Sequence, residues 1–227
     1  NFINHNCIAR VPPGSKRLPS YKAQGTGYYT WQFYLRAALF NPVILQIIVM
    51  HFLDLYEDTV KSGEVQLCGV ESASTPLLTG IMLECCRRGY AAHVFSIRKE
   101  RKQYGLENWI EGRVLDRPAM LVDDVISPAH KTAIHGAHIL ADHNIRLAPF
   151  SYAVLFKAKE PERTIKLTGV DVTVGSLFDL NDFNLSLQSY REQYETFLSD
   201  MRAGASAQVE GERGPTEADH RSAAAAP

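Results

Sequence analysis

The segment Ala119-Met-Leu-Val-Asp-Asp-Val-Ile126 constrains the fold of this chain more than any other. Four apolar residues run directly into two adjacent carboxylates, and Ser127-Pro128-Ala129-His130-Lys131-Thr132 follows, with a helix-forming stretch from Thr132 to His143. A short apolar run of this kind reads as a buried strand. Such a strand delivers the two adjacent carboxylates, Asp123 and Asp124, to its C-terminal end. In an open α/β sheet, ligands sit at the carboxyl ends of the strands. Two acids there can accept hydrogen bonds from a diol, directly or through magnesium-bound water. The loop and helix start beyond them can hold a phosphate with backbone N–H groups. An isolated Asp-Asp pair is more often a solvated strand end; the apolar strand before it and the helix after it favour the ligand reading.

The rest of the chain repeats the same alternation. Val65 to Val70, Ala91 to Ile97, Phe150 to Phe156 and Val170 to Phe178 are short apolar strands. Thr75-Pro76 starts a helix that runs to Arg88 and stops at Gly89. Strands alternating with helices predict an α/β fold, a mostly parallel twisted sheet flanked by helices. Asn41-Pro42 reads as an N-cap followed by proline at the first helical position, and Gly63 as the end of that helix. Its polar residues Gln46, Asp54, Glu57, Asp58 and Lys61 gather on one side, so the remainder is expected to be largely buried. Residues 1–20, with Pro12, Pro13, Gly14 and Pro19, read as an N-terminal arm, and 21–202 as one domain. Arg98 to Gly112 reads as a long exposed loop. Phe183, Leu187, Tyr190, Tyr194, Phe197 and Met201 recur at helical spacing. Residues 203–227 carry almost no apolar side chains and are expected to be a disordered tail.

Composition narrows the function classes. A formal net charge of −1 gives no global field toward nucleic acid or an anionic membrane, so neither is expected as a partner. The most apolar stretch, Phe40 to Tyr56, is broken by Asn41, Pro42, Gln46, His51 and Asp54, which argues against a membrane span. No basic-then-apolar signal segment opens the sequence. Cys7, Cys68, Cys85 and Cys86 form no C-x-x-C pair, and adjacent Cys85 and Cys86 have poor geometry for a bridge. They read as reduced thiols in a cytoplasmic protein, and no zinc-ligand spacing is present.

Leu121-Val-Asp-Asp-Val-Ile126 resembles the 5-phosphoribosyl-1-pyrophosphate (PRPP) signature of type I phosphoribosyltransferases. Ile97-Arg-Lys-Glu-Arg-Lys-Gln-Tyr-Gly105, with Ile110-Glu-Gly112 after it, resembles the mobile catalytic loop of orotate phosphoribosyltransferases, which reads Arg-Lys-Glu-x-Lys-x-His-Gly. Tyr28-Tyr29 and Leu39-Phe40-Asn41 are similar to the early aromatic strand and following helix of those enzymes. The resemblance runs from about residue 20 to about residue 180. It implies transfer of a phosphoribosyl group from PRPP to an orotate-like pyrimidine base with release of pyrophosphate, a step of pyrimidine biosynthesis. It further implies Mg2+ carried by PRPP, with no direct protein metal ligand, and a homodimer. The implied roles place Asp123 and Asp124 on the ribose hydroxyls, with Asp124 counted among the catalytic residues. Arg98 and Lys102 stabilise the departing pyrophosphate, helped by Lys99 and by Tyr104 in place of the family's histidine. Ser127, Lys131 and Thr132 face the 5′-phosphate, Ser72 and Ser74 can bind anions at a helix start, and Lys22 is the base-pocket lysine.

Three stretches depart from the family pattern. Between Ser127 and Thr132 the expected glycine is Ala129, and Pro128 has no N–H for a phosphate. After Val70, where the family reads Gly-x-x-x-Lys-Gly-x-Pro, this chain has Gly69-Val-Glu-Ser-Ala-Ser-Thr-Pro76. Ala73 stands in the lysine slot, and Glu71 brings a like charge to a pyrophosphate site. Lys157 and Lys159 stand where an arginine is expected for the base, and lysine is a poorer bidentate partner for a carboxylate. A non-catalytic nucleotide- or PRPP-binding protein on the same fold, or a phosphoribosyltransferase for another base, are the alternatives these departures leave open.

Overall fold

The computed structural model describes residues 2–10, 31–101, 108–127, 131–157, 163–183 and 185. By its internal contacts the chain divides into a unit of 1–9 with 33–185 and a second of 10–32 with 186–227. The first unit carries the sheet, and the description below concerns it. The expected helix from Phe183 to Met201 lies outside the described residues except for Phe183, which ends a 3-10 turn at Asn181–Phe183, and Leu185; the expected tail 203–227 lies outside them altogether.

Chain order gives α1 (Phe2–Asn6), β1 (Ile8–Arg10), β2 (Trp31–Phe33), α2 (Arg36–Leu39), α3 (Pro42–Ser62), β3 (Gln66–Val70) and α4 (Thr75–Arg87). Then follow β4 (Val94–Ile97), β5 (Ile110–Gly112), β6 (Ala119–Ile126), α5 (Lys131–Asp142), β7 (Phe150–Phe156), β8 (Thr164–Leu167) and β9 (Val170–Asp179). Seven strands form one sheet in the order β5-β4-β3-β6-β7-β9-β8. The five inner strands are mutually parallel; β5 and β8 add to the two margins antiparallel. The mostly parallel α/β architecture expected from the alternation is therefore present.

Local sequence chemistry sets the helix bounds. The Asn41 side chain accepts hydrogen bonds from the N–H groups of Val43 and Ile44, and Pro42 opens α3 where its missing N–H costs nothing. Gly63 closes α3 in the left-handed region at φ 73°, which a side chain would disfavour. The inward stripe of α3 packs on β7 and β9. Phe52 meets Tyr152 edge-on at 5.2 Å, Tyr56 stacks on Phe150 at 5.7 Å, and the Tyr56 hydroxyl donates to the Ser151 carbonyl. The fully buried Phe52 contributes about 1.5–3 kcal/mol. The other face of the sheet packs on α5, where Gly136 lies against Leu121, Val70 and Ile97.

The structure corrects three expectations and adds one strand. Within the stretch read as an extended arm, Phe2–Asn6 is a short helix and Ile8–Arg10 a strand. The exposed loop from Arg98 ends in β5, paired with β4 through Ile97↔Ile110 and Ser96↔Glu111. Helix α3 is not largely buried, because it lies on the sheet by one stripe. Val43, Ile47 and Leu55 keep 67%, 54% and 50% of their surface. Strand β8 went unread because Thr164 and Lys166 alternate with Ile165 and Leu167 at an exposed margin, a weak signal over four residues.

Candidate functional site

The carboxyl ends of the parallel strands converge on one edge of the sheet, and the chemistry-bearing residues follow those ends. Glu71 follows β3, Arg98 follows β4, Ser127 follows β6 and Lys157 follows β7. Asp123 and Asp124 lie in the last half of β6, with Asp123 opposite Ala153 of β7.

Asp123 is buried and Asp124 half-buried. The Asp124 backbone N–H donates to Asp123 Oδ1 at 2.8 Å. Burial, followed by the charge of Asp124, pushes the Asp123 carboxyl well above the usual carboxylate range, while Lys99 pulls it down. A hydrogen-bond donor or cation reaching Asp123 would favour its charged form. Lys157 sits beside the pair. Burial lowers its ammonium, Asp124 opposes that shift, and Nζ lies 5.7 Å from the centre of the Phe33 ring. Phe33 and Phe178 each meet Phe183, at 5.2 and 5.3 Å, so an aromatic cluster adjoins this lysine. The aromatic cluster was not legible beforehand, since its members come from β2, β9 and the turn after it.

The loop after β3 is built on close approach. A Cβ on Gly69 would stand 2.4 Å from the Val122 carbonyl and 2.4 Å from the Ser74 side chain, so only glycine fits. Ser74 is fully buried and its hydroxyl donates to the Val70 carbonyl at 2.9 Å. That bond ties the loop back to its strand. Ser72 is exposed at the loop's turn, and the Glu71–Ser72 peptide is cis. The Glu71 N–H donates to the Ile97 carbonyl, which fastens the loop to β4.

Arg98 is held from all sides. Its guanidinium lies 3.2 Å from Glu111 and 3.7 Å from Glu71, and Nε donates to the Glu100 carbonyl at 3.4 Å. Its backbone N–H donates to Trp109, and its carbonyl accepts from His135 Nε2 at 3.0 Å. Trp109 in turn meets His135 edge-on at 5.8 Å. The root of the basic loop is thus fastened to both β5 and α5. His135 carried no sequence signal, being one more histidine on an amphipathic helix.

The structure brings Asp123, Asp124, Lys99 and Arg98 to one edge. Ser127 is half-buried at the end of β6, and Lys131 and Thr132 open α5, with Lys131 exposed. Residues 128–130 between them lie outside the described residues, as do Lys102, Tyr104 and Lys22. Among the described residues, no group of three or more His, Cys, Asp or Glu side chains could hold a metal ion. No helix among them is long and apolar enough to cross a membrane. Cys7, Cys68, Cys85 and Cys86 are all free, the first three buried.

No protein-family model matches the sequence, and no curated protein matches it. Solved structures do. A phosphoribosyltransferase from Corynebacterium diphtheriae superposes with a TM-score of 0.60 at 17% identity, covering 81% of this chain and 95% of that one. Orotate phosphoribosyltransferase from Mycobacterium tuberculosis H37Rv gives 0.57 at 19% identity over 81% and 95% of the two chains. The same enzyme in complex with PRPP gives 0.51 at 20% identity over 66% and 82%. At these identities the likeness establishes the fold, which is that of the phosphoribosyltransferases.

Proposed function

We propose that the chain transfers a phosphoribosyl group from PRPP to a pyrimidine-type base such as orotate and releases pyrophosphate. The observation that carries this reading is the pair of buried Asp123 and half-buried Asp124 at the carboxyl end of β6, with Arg98 and Lys99 following the end of β4, on the far side of β3. In this reading the two carboxylates receive the ribose hydroxyls. Contact with the diol favours the ionised form of Asp123 that burial disfavours, so binding energy is concentrated on the sugar. Positive charge develops at the anomeric carbon and negative charge on the departing diphosphate. Arg98 and Lys102, with Lys99 and Tyr104, meet the latter, where preorganised cations act most strongly.

Ser127, Lys131 and Thr132 face the 5′-phosphate at the start of α5, and Ser72 faces the diphosphate. Ser74 shapes the loop, its hydroxyl being committed to Val70. Lys157 and Lys22 approach the base, with the aromatic cluster as its apolar wall. The acids Asp123 and Asp124 offer hard oxygen donors beside a magnesium ion carried by PRPP, which would neutralise diphosphate charge. A homodimer is consistent with the apolar side chains that α3 and α4 expose, Val43, Ile47, Met82 and Leu83. The free cysteines suit a reducing compartment, the cytoplasm.

The ion pairs of Arg98 with Glu71 and Glu111 favour a second reading, a protein that binds PRPP or a nucleotide without turnover. A PRPP-dependent pyrophosphate-release assay with magnesium, run across orotate, uracil, adenine, hypoxanthine and guanine, separates the two. Release with a pyrimidine is expected. Binding of PRPP without release with any base would establish the second reading, and release with a purine alone would move the acceptor class.

A further inference from the structure

We propose that Glu71 sets the affinity of this site for diphosphate by competing with it for Arg98. The inference rests on the phosphoribosyl-transfer reading, because it takes the loop after β3 as the place where the diphosphate lies.

The guanidinium of Arg98 has three nitrogens, and the protein itself engages all of them. One terminal nitrogen faces Glu111 at 3.2 Å, the other Glu71 at 3.7 Å, and Nε donates to the Glu100 carbonyl. Arginine suits planar, bidentate oxyanions, and the phosphoryl oxygens of a diphosphate offer the same geometry as a carboxylate. Glu71 therefore occupies, with its own carboxylate, the partner that an incoming diphosphate would take. The loop that carries it cannot drift away: Glu71 N–H is bonded to Ile97, Gly69 is wedged against Val122 and Ser74, and Ser74 is bonded to Val70. Arg98 is equally fixed at its backbone by Trp109 and His135. What can change is the side-chain pairing. Both partners are about one-third exposed, at 28% and 32%, so the pair is weak enough to be exchanged for a stronger anion.

Two consequences follow. Diphosphate binds less tightly than the cationic loop alone would allow, because the Arg98–Glu71 pair must open and Glu71 then faces a like charge. The same carboxylate recaptures Arg98 as pyrophosphate leaves, which favours release of product.

The test is isothermal titration calorimetry of the full chain with magnesium present, using PRPP and inorganic pyrophosphate as separate probes. The proteins are wild type, Glu71→Gln, Glu111→Gln, Arg98→Gln and the Glu71→Gln/Arg98→Gln pair. Glu71→Gln is expected to tighten pyrophosphate about three- to five-fold, the value of one exposed ion pair. Glu111→Gln should tighten it in the same sense, since it frees the same guanidinium. In the Arg98→Gln background the Glu71→Gln gain should vanish. A gain that persists undiminished without Arg98 would mean that Glu71 acts through its field alone and would overturn the competition. So would an unchanged or weaker affinity of Glu71→Gln. If pyrophosphate binds with this pattern while PRPP binds to none of the proteins, the competition stands and the phosphoribosyl reading falls. If neither probe binds any variant, both fall.

Discussion

Two arginine–glutamate constellations lie on the same unit, and they are built differently. On α4, Glu84 keeps 5% of its side-chain surface and accepts from Arg87 at 2.6 and 2.8 Å and from Arg88 at 3.0 Å, while Arg88 also reaches Glu57 at 2.7 Å. Gln46 of α3 adds a further donor, and Tyr90 donates to Glu57. Every lone pair of the buried carboxylate has a partner, and Arg87 and Arg88 hold Glu84 down to about 2. At the sheet edge, Arg98 meets its two glutamates at 3.2 and 3.7 Å with all three side chains about one-third to one-half exposed. The first set clamps α3 to α4 by short, charge-assisted bonds. The second is longer and more exposed to solvent. Residue types are the same; distance and burial set the two clusters apart.

Three experiments sharpen or break that contrast. The largest effect is expected for Glu84→Gln, which leaves Arg88 with half its partners: a loss of about 3 kcal/mol, or roughly 6–12 °C in melting temperature. Because Glu84 is lowered from its ordinary 4.5, its contribution is complete above that pH and fades as pH falls toward about 2. The variant and wild type should therefore converge in melting temperature toward pH 2. PRPP affinity should not move; if it does, the α4 cluster is not merely scaffold.

Arg98→Gln should do the reverse. Turnover should drop about 10- to 100-fold, as for loss of one preorganised cation, while the melting temperature stays within about 1 °C. A drop of many degrees would make the edge cluster structural and erase the distinction. The third effect, on stability through pH, is expected for Asp123→Asn. Asp123 is raised by burial and by Asp124, so folding resists its ionisation. The native state loses stability relative to the unfolded chain as pH rises above about 3.9, the unfolded aspartate value, until the folded carboxyl itself ionises. Asparagine removes that cost and can still accept from the Asp124 N–H. The variant should melt higher than wild type at pH 7 and equally at pH 3, yet bind PRPP more weakly. Equal melting at both pH values would show that burial of Asp123 carries no cost to folding.

The scaffold was more legible in the sequence than the site. Asn41-Pro42 and Gly63 marked the ends of α3 because capping is local chemistry, decided within three residues. The strand bearing Asp123 and Asp124 was readable because an apolar run into paired acids has few other uses. What stayed hidden depends on residues that meet only after folding. Arg98 was legible as a basic loop residue, but its capture by Glu71 and Glu111 needs β3, β4 and β5 side by side. Ser74 looked like an anion contact, and the inward turn of its hydroxyl comes from the Gly69 wedge. The half-bare surface of α3 was misread because an apolar pattern reports what can be buried, not what is available to bury it.

The two margins of the sheet have a consequence beyond catalysis. Each parallel strand has a neighbour on both sides, and the outermost positions are taken by β5 and β8, which turn back antiparallel. Strand β5 is three residues long, exposes Glu111 and ends at Gly112 with φ 118°, while β8 turns Thr164 and Lys166 outward. An unpaired strand margin is a template on which other chains can add and grow into fibres. Short length, a left-handed glycine and a charge on each border strand deny that template a flat, apolar start. Among the described residues, the borders of this sheet are thus poor starting points for a further strand.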